Sequence, residues 1–166
     1  LDIVSRHPNW HLDLAGFGGD ERTIAEKASG MPNVTFHGRV SYPAALALSQ
    51  AADVLFATYD PSIPNHRYSS PNKVFEAMML GKPIVVAYKT NMDRIISTAE
   101  AGLVVTYADE AALETALTKL ADDPSLRQQF GQHARAAYEQ TYSWQVMESR
   151  LRDLYGDITS RLPEAE

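Results

Sequence analysis

The chain has 166 residues, 45% of them hydrophobic, which is the size and apolar content of one globular domain able to bury its own core. A formal net charge of -6 excludes a broad basic footprint for nucleic acid or anionic lipid, while leaving room for a local basic pocket that holds phosphate. The absence of cysteine removes disulfides, thiolate metal ligands and a thiol nucleophile together, and fits a cytoplasmic protein.

The first ten residues, LDIVSRHPNW, carry no initiator Met and read as the end of a helix whose preceding strand is missing, as in a fragment. No apolar run approaches the roughly 20 residues needed to span a bilayer, so no transmembrane segment is expected. Short runs rich in β-branched and aromatic residues then alternate with longer helical patterns. Strands are expected over 11–15, 34–37, 54–58, 84–87 and 103–105, and helices over 20–28, 43–51, 71–80 and 92–98. This order predicts an α/β fold, a Rossmann-like parallel sheet flanked by helices. From Glu110 onward only helices are expected, over 110–121, 124–138 and 144–161, so extra C-terminal helices follow the sheet. In the last of them Trp144, Met147, Leu151, Leu154 and Ile158 recur at three- and four-residue spacing, which predicts an apolar stripe laid on a neighbour. The final LPEAE is expected to fray.

In such folds ligands sit outside the carboxyl ends of the strands, where loops lead into helix N-termini. The longest loop there runs over 58–72 and ends in Ser70-Pro71-Asn72, which reads as a helix start with free backbone N–H groups and a positive dipole end. Lys73 adds a mobile positive charge, a combination that suits a pyrophosphate. Glu76 follows one turn later in an otherwise apolar helix. Its carboxylate is placed either to accept hydrogen bonds from ribose hydroxyls or to form a plain intrahelical pair with Lys73, and spacing alone does not choose.

Other features have plainer readings. Gly16, Gly18 and Gly19 follow a strand, but a dinucleotide fingerprint needs a further Gly where Glu21 stands, so the turn reads as a tight strand-to-helix passage. The histidines at 7, 11, 37, 66 and 133 show no paired metal-ligand spacing and read as structural or exposed; His66 shares the long loop with Arg67. Arg39 reads equally as a surface residue beside a strand end. The pairs Asp109-Glu110 and Asp122-Asp123 stand at helix starts and read as caps.

The segment SSPNKVFEAMMLGKPIVVA resembles the donor-site helix of the family 4, or group 1, glycosyltransferases of the GT-B fold. The matching positions are Glu76, Ala77, Met78, Gly81 and Pro83. NVTFHGRVSYPAALALSQAADVLFATY resembles the family's preceding strand, helix and strand. LDLAGFGGDE resembles its strand ending in a Gly-rich turn, and DDPSLRQQFGQHARAAYEQTYSWQVMESRLRDLY resembles its C-terminal helices. The resemblance covers nearly the whole chain in order.

It implies the C-terminal, donor-binding domain of a retaining glycosyltransferase, with a nucleoside-diphosphate sugar as donor, no metal, and a saccharide or lipid-linked acceptor of the kind used in cell-surface polysaccharide biosynthesis. Glu76 would bind the donor ribose. Ser70, Pro71, Asn72 and Lys73 would line the diphosphate and sugar, Gly38, Arg39 and Val40 would lie against the base, and Gly16 would stand in the turn near the donor. The family commonly carries a second glutamate eight positions before the first, and Tyr68 stands there instead. The family's first strand of this domain, with a Gly-Arg turn and a Lys that hold the diphosphate, is expected to precede Leu1, as is the whole acceptor domain. The chain alone is therefore expected to be inactive, and the full protein is expected in the cytoplasm or at the cytoplasmic membrane surface. The competing readings are a nucleotide-sugar epimerase of similar architecture, which predicts a catalytic carboxylate or His cluster, and a non-catalytic α/β interaction module, which predicts no saturable binding of nucleoside diphosphates.

Overall fold

A computed structural model describes residues 1–161; residues 162–166, where the frayed tail is expected, lie outside the described residues. Helices and strands alternate as α1 (Asp2–Arg6), β1 (Leu12–Ala15), α2 (Glu21–Ser29), β2 (Val34–Gly38), α3 (Tyr42–Ala51), β3 (Leu55–Ala57), α4 (Pro64–Tyr68), α5 (Asn72–Leu80), β4 (Ile84–Ala87), α6 (Met92–Ala99) and β5 (Gly102–Val105). The helices α7 (Glu110–Asp122) and α8 (Pro124–Ala137), a π-helical turn (Tyr138–Tyr142) and α9 (Trp144–Arg161) complete the chain.

Every strand pair is parallel, as expected. The pairing forms two groups where one sheet was expected: β1 with β2, and β3-β4-β5 in that order. One edge of β1 and one edge of β3 carry no strand partner among the described residues.

The strand β4 sits at the centre of the larger group and is fully buried along its length. Successive residues of a strand point to opposite faces. Ile84 and Val86 accordingly pack with Val74, Ala77 and Met78 of α5 and Met92, Ile95 and Ile96 of α6, while Val85 joins Val105 and the α7 residues Ala116 and Leu120. A strand covered on both faces carries a continuous apolar run, and Ile-Val-Val-Ala is one. By contrast β1 alternates: Leu12 and Leu14 pack with Val4, Ala28 and Val34, and Asp13 faces outward.

Several boundaries differ from expectation for local reasons. β5 begins at Gly102, where a Cβ would stand 1.8 Å from the Ile84 carbonyl oxygen, so only glycine admits the close pairing. α5 ends at Gly81, in the left-handed region at φ 64, where Lys82 N–H closes back onto the Ala77 carbonyl as in a Schellman cap. The helix expected over 124–138 passes at Tyr138 into the π-helical turn, which bends the chain into α9. Most of the expected apolar stripe of α9 is uncovered among the described residues: Trp144, Leu151, Leu154 and Ile158 are exposed, Met147 is half-buried, and α9 packs mainly on the π-helical turn.

Candidate donor-binding site

The segment after β3 is not all loop. Asp60 accepts the Ser62 N–H at 2.8 Å in an Asx-type turn, and these hydrogen bonds from Ser62 hold its carboxyl below the ordinary value. Pro64 then starts the short helix α4, whose fixed φ suits a first helical position. Ser69 to Pro71 lead into α5 with Pro71 at the N-cap, and no side chain caps that helix, Ser70 included. The first hydrogen bond back to the cap is from the Val74 N–H to the Pro71 carbonyl. The amides ahead of it keep the positive end of the helix open to solvent.

Lys73 and Glu76 stand as predicted on the first two turns but do not form an ion pair with each other. The Lys73 ammonium lies 5.8 Å from the centroid of the Tyr59 ring. Glu76 instead faces Tyr42 at the start of α3: the charge of the carboxylate and a hydrogen bond to it raise the pKa of the Tyr42 phenol. Tyr59 is pushed up as well, by burial. His66 packs on Tyr59 at 5.2 Å between ring centroids, and its Nδ1 is buried without a hydrogen-bond partner among the described residues. Of the two readings, structural or exposed, His66 is thus the half-buried, structural one. Tyr68 is exposed, with the Arg67 guanidinium 5.4 Å from its ring centroid.

The remaining candidates gather at the tips of β1 and β2. Gly16 N–H donates to the Gly38 carbonyl at 2.8 Å, which ties the two strand ends together. Gly38 at φ 61 then turns the chain so that the Arg39 guanidinium lies 4.2 Å over the Phe17 ring. Val40 and the N-cap Ser41 lead on into α3. The expected residues therefore form two groups: Gly16, Gly38, Arg39 and Val40 on one side, and Tyr68, Ser70, Pro71, Asn72, Lys73 and Glu76 on the other. No hydrogen bond or ion pair joins the groups directly among the described residues; the Tyr42–Glu76 contact connects α3 to α5 between them. Phe17, Tyr42 and Tyr59 were missed from sequence. The available signal was an aromatic residue inside or directly beside a Gly-rich or Pro-containing turn.

The plainer readings hold elsewhere. His37 pairs with Asp13 at 2.6 Å and His11 with Thr35 at 3.0 Å, across β1 and β2. His7 and His133 each meet a glutamate, Glu114 and Glu100. Asp109 and Asp123 cap α7 and α8 through the N–H groups of Ala112 and Leu126, both at 2.9 Å. Glu110 leaves its capping role to Asp109 and binds Arg6. Two open depressions of about 510 and 490 Å³ lie along α8 and α7, away from the groups above.

A family model for "Glycosyl transferases group 1" matches residues 2–123. The chain belongs to the group 1 glycosyltransferases. Relatives in this family include a GDP-mannose-dependent monoacylated alpha-(1-6)-phosphatidylinositol monomannoside mannosyltransferase of Corynebacterium glutamicum, 28% identical over 154 residues, covering 92% of this chain and 40% of the relative. A capsular polysaccharide biosynthesis glycosyltransferase of Staphylococcus aureus, CapM, is 27% identical over 157 residues, covering 92% and 39%. Among solved structures, sucrose-phosphate synthase from Thermosynechococcus elongatus superposes with a TM-score of 0.79 at 21% identity, over 97% of this chain and 41% of that one. Anabaena HepE in complex with UDP-glucose superposes with a TM-score of 0.77 at 17% identity, over 94% and 43%. These neighbours are GT-B glycosyltransferases, and this group 1 chain shares the Rossmann-like half of that fold. It spans about two-fifths of the length of the relatives it matches.

Proposed function

We propose that this chain is the donor-binding domain of a retaining glycosyltransferase, taking a nucleoside-diphosphate sugar and presenting it to a saccharide or lipid-linked acceptor held by a second domain. The observation that carries the reading is the uncapped N-terminus of α5, with Lys73 in its first turn and Glu76 one turn further on. Backbone amides and a helix dipole aimed at a developing diphosphate stabilise a leaving group without a metal, because they are already oriented when the negative charge appears. Lys73 contributes a full positive charge there. Glu76, an acceptor of donor hydroxyls, takes the ribose, and Ser70 and Asn72 flank the diphosphate and sugar. In this reading the departing phosphate assists the incoming acceptor on the same face of the sugar.

Further observations support it. The Anabaena neighbour was solved with UDP-glucose, and the Corynebacterium relative is named for its dependence on GDP-mannose. The division of the strands into two groups fits a further parallel strand lying between β1 and β3, the place that the family's first strand and its diphosphate-holding turn would take. No described helix is long and apolar enough to cross a membrane, which fits work in the cytoplasm or at a membrane surface.

The test is a titration of the protein at its natural length with UDP, GDP, ADP and dTDP, before and after Glu76→Ala. Removing a charged hydrogen-bond acceptor from the ribose predicts a loss of about 10- to 100-fold for the nucleotide that binds best. If no nucleoside diphosphate binds better than about millimolar, or if the substitution is silent, the reading fails and an interaction module takes its place.

A further inference from the structure

The start of α5 holds a cation that no carboxylate neutralises. Lys73 is exposed in the first turn and makes no ion pair among the described residues. The acidic residues on either side of it in sequence are engaged elsewhere: Asp60 accepts the Ser62 N–H at 2.8 Å, and Glu76 faces Tyr42. The ammonium stands instead over the Tyr59 ring, 5.8 Å from its centroid, within the roughly 6 Å over which a ring quadrupole attracts a cation. That attraction holds a cation without cancelling its charge, as a carboxylate partner would.

The ring beneath Lys73 is itself held. Tyr59 lies two residues beyond β3, is half-buried, and packs against the core cluster that includes Ala57 and Val74. Burial raises the pKa of its phenol, so the ring stays neutral under the ammonium. His66 of α4 packs on the same ring at 5.2 Å between centroids, tilted by 39°. Its Nδ1 is buried without a hydrogen-bond partner among the described residues, so packing rather than a bond at that nitrogen seats the imidazole. A lysine on a solvated helix start samples many rotamers, and a ligand has to freeze them. A fixed ring face under the ammonium removes part of that cost beforehand.

We propose that Tyr59 is a positioning residue, whose ring, braced by His66, holds the Lys73 ammonium in place at the α5 start for the diphosphate of the donor. The proposal rests on the donor-site reading and adds to it a residue that acts only through Lys73. The part used is the ring face and not the hydroxyl. Preorganisation of this kind raises affinity by lowering the ordering cost of binding, with no new contact to the ligand.

The experiment titrates the protein at its natural length with inorganic pyrophosphate and with UDP, GDP, ADP and dTDP, and follows the best-binding nucleotide through the variants. Tyr59→Leu, which keeps apolar bulk but no ring face, is expected to weaken that nucleotide and pyrophosphate alike, by about 2- to 5-fold. Tyr59→Phe is expected to bind both as the parent does. Adding Tyr59→Leu to Lys73→Met is expected to change nothing further, since no cation is left to hold. A loss that is the same with and without Lys73 marks Tyr59 as merely structural and overturns the proposal. So does a Tyr59→Leu protein that binds like the parent while Lys73→Met weakens binding, an outcome that spares the donor site. Should Tyr59→Leu not fold, His66→Ala carries the test: a loss that vanishes in Lys73→Met supports the proposal, and no loss, or one that persists there, overturns it. If Lys73→Met is silent the proposal is overturned as well, and Glu76→Ala then decides the donor site separately. If neither pyrophosphate nor any nucleotide binds, the donor-site reading falls and the proposal with it.

Discussion

The two groups of strands are built to different rules. In β3-β4-β5 the central strand is sealed on both faces by α5 and α6 on one side and α7 on the other, and Ile84 to Ala87 have no exposed surface. In β1-β2 one face packs on α1 and α2 and the other carries His11, Asp13 and His37 to the outside. The sealed group holds α5, with Lys73 and Glu76; the half-open group ends in the Gly-rich turn with Phe17. The residues proposed to meet the diphosphate and ribose therefore stand on the sealed group, and the Gly-rich turn stands on the half-open one.

Truncation of core side chains measures that contrast most strongly. Ile84→Ala is expected to cost about 2–5 kcal/mol, because a sealed site cannot collapse around the cavity. Leu14→Ala, at a half-buried position of β1, is expected to cost no more than about 1–2 kcal/mol. Urea unfolding of both variants checks the difference, and equal losses would mean that the two groups are equally well packed. Helix capping offers a second, smaller comparison. Asp109 caps α7, so Asp109→Ala is expected to cost about 1 kcal/mol; Asp20 stands at the start of α2 without capping it, and Asp20→Ala is expected to be nearly neutral.

A third comparison concerns a link between the regions. Arg6, the last residue of α1, and His7, which follows it, converge on Glu114 of α7, at 2.7 Å each, and Arg6 also holds Glu110. Hydrogen bonds and charge from Arg6, then His7, lower the Glu114 pKa to about 2. A carboxylate with a depressed folded-state pKa stabilises the fold above its ordinary value of 4.5, and that stabilisation is lost as pH falls from 4.5 toward 2. Glu114→Gln should therefore lower the melting temperature at pH 7, and the gap from the parent should close as pH drops through that window. Melting curves at pH 7, 4.5 and 3 decide it; a gap independent of pH would assign the effect to packing.

What was legible in sequence follows the same division. The run Ile84 to Ala87 announced a buried strand because its β-branched residues serve both faces, and Asp109 and Asp123 announced their helices through cap chemistry. The break between β1 and β3 was not legible, since strand pairing depends on partners remote in sequence. Spacing left Glu76 open between an ion pair with Lys73 and a ligand contact, whereas the fold brought Tyr42 from another helix to the carboxylate, a contact that no local pattern contains. The α5 start was readable from Ser70-Pro71-Asn72. Its association with a nucleotide sugar came from the family resemblance.

The smallest expected effect tests where periodicity misleads. The residues of α9 at three- and four-residue spacing do form one apolar face, but periodicity reports only that a face exists and not that anything covers it. Leu151 and Leu154 are 48% and 55% exposed, so little apolar area is lost when either is replaced by a polar residue. Leu151→Ser and Leu154→Ser are each expected to change stability by about 0.5 kcal/mol or less, mostly through helix propensity. Leu120→Ser, at a residue with no exposed surface in α7, provides the contrast and is expected to destabilise severely by placing a hydroxyl in an apolar site. If the α9 variants of this chain unfold as readily as Leu120→Ser, then the face is covered in solution and the α9 stripe belongs to the core after all.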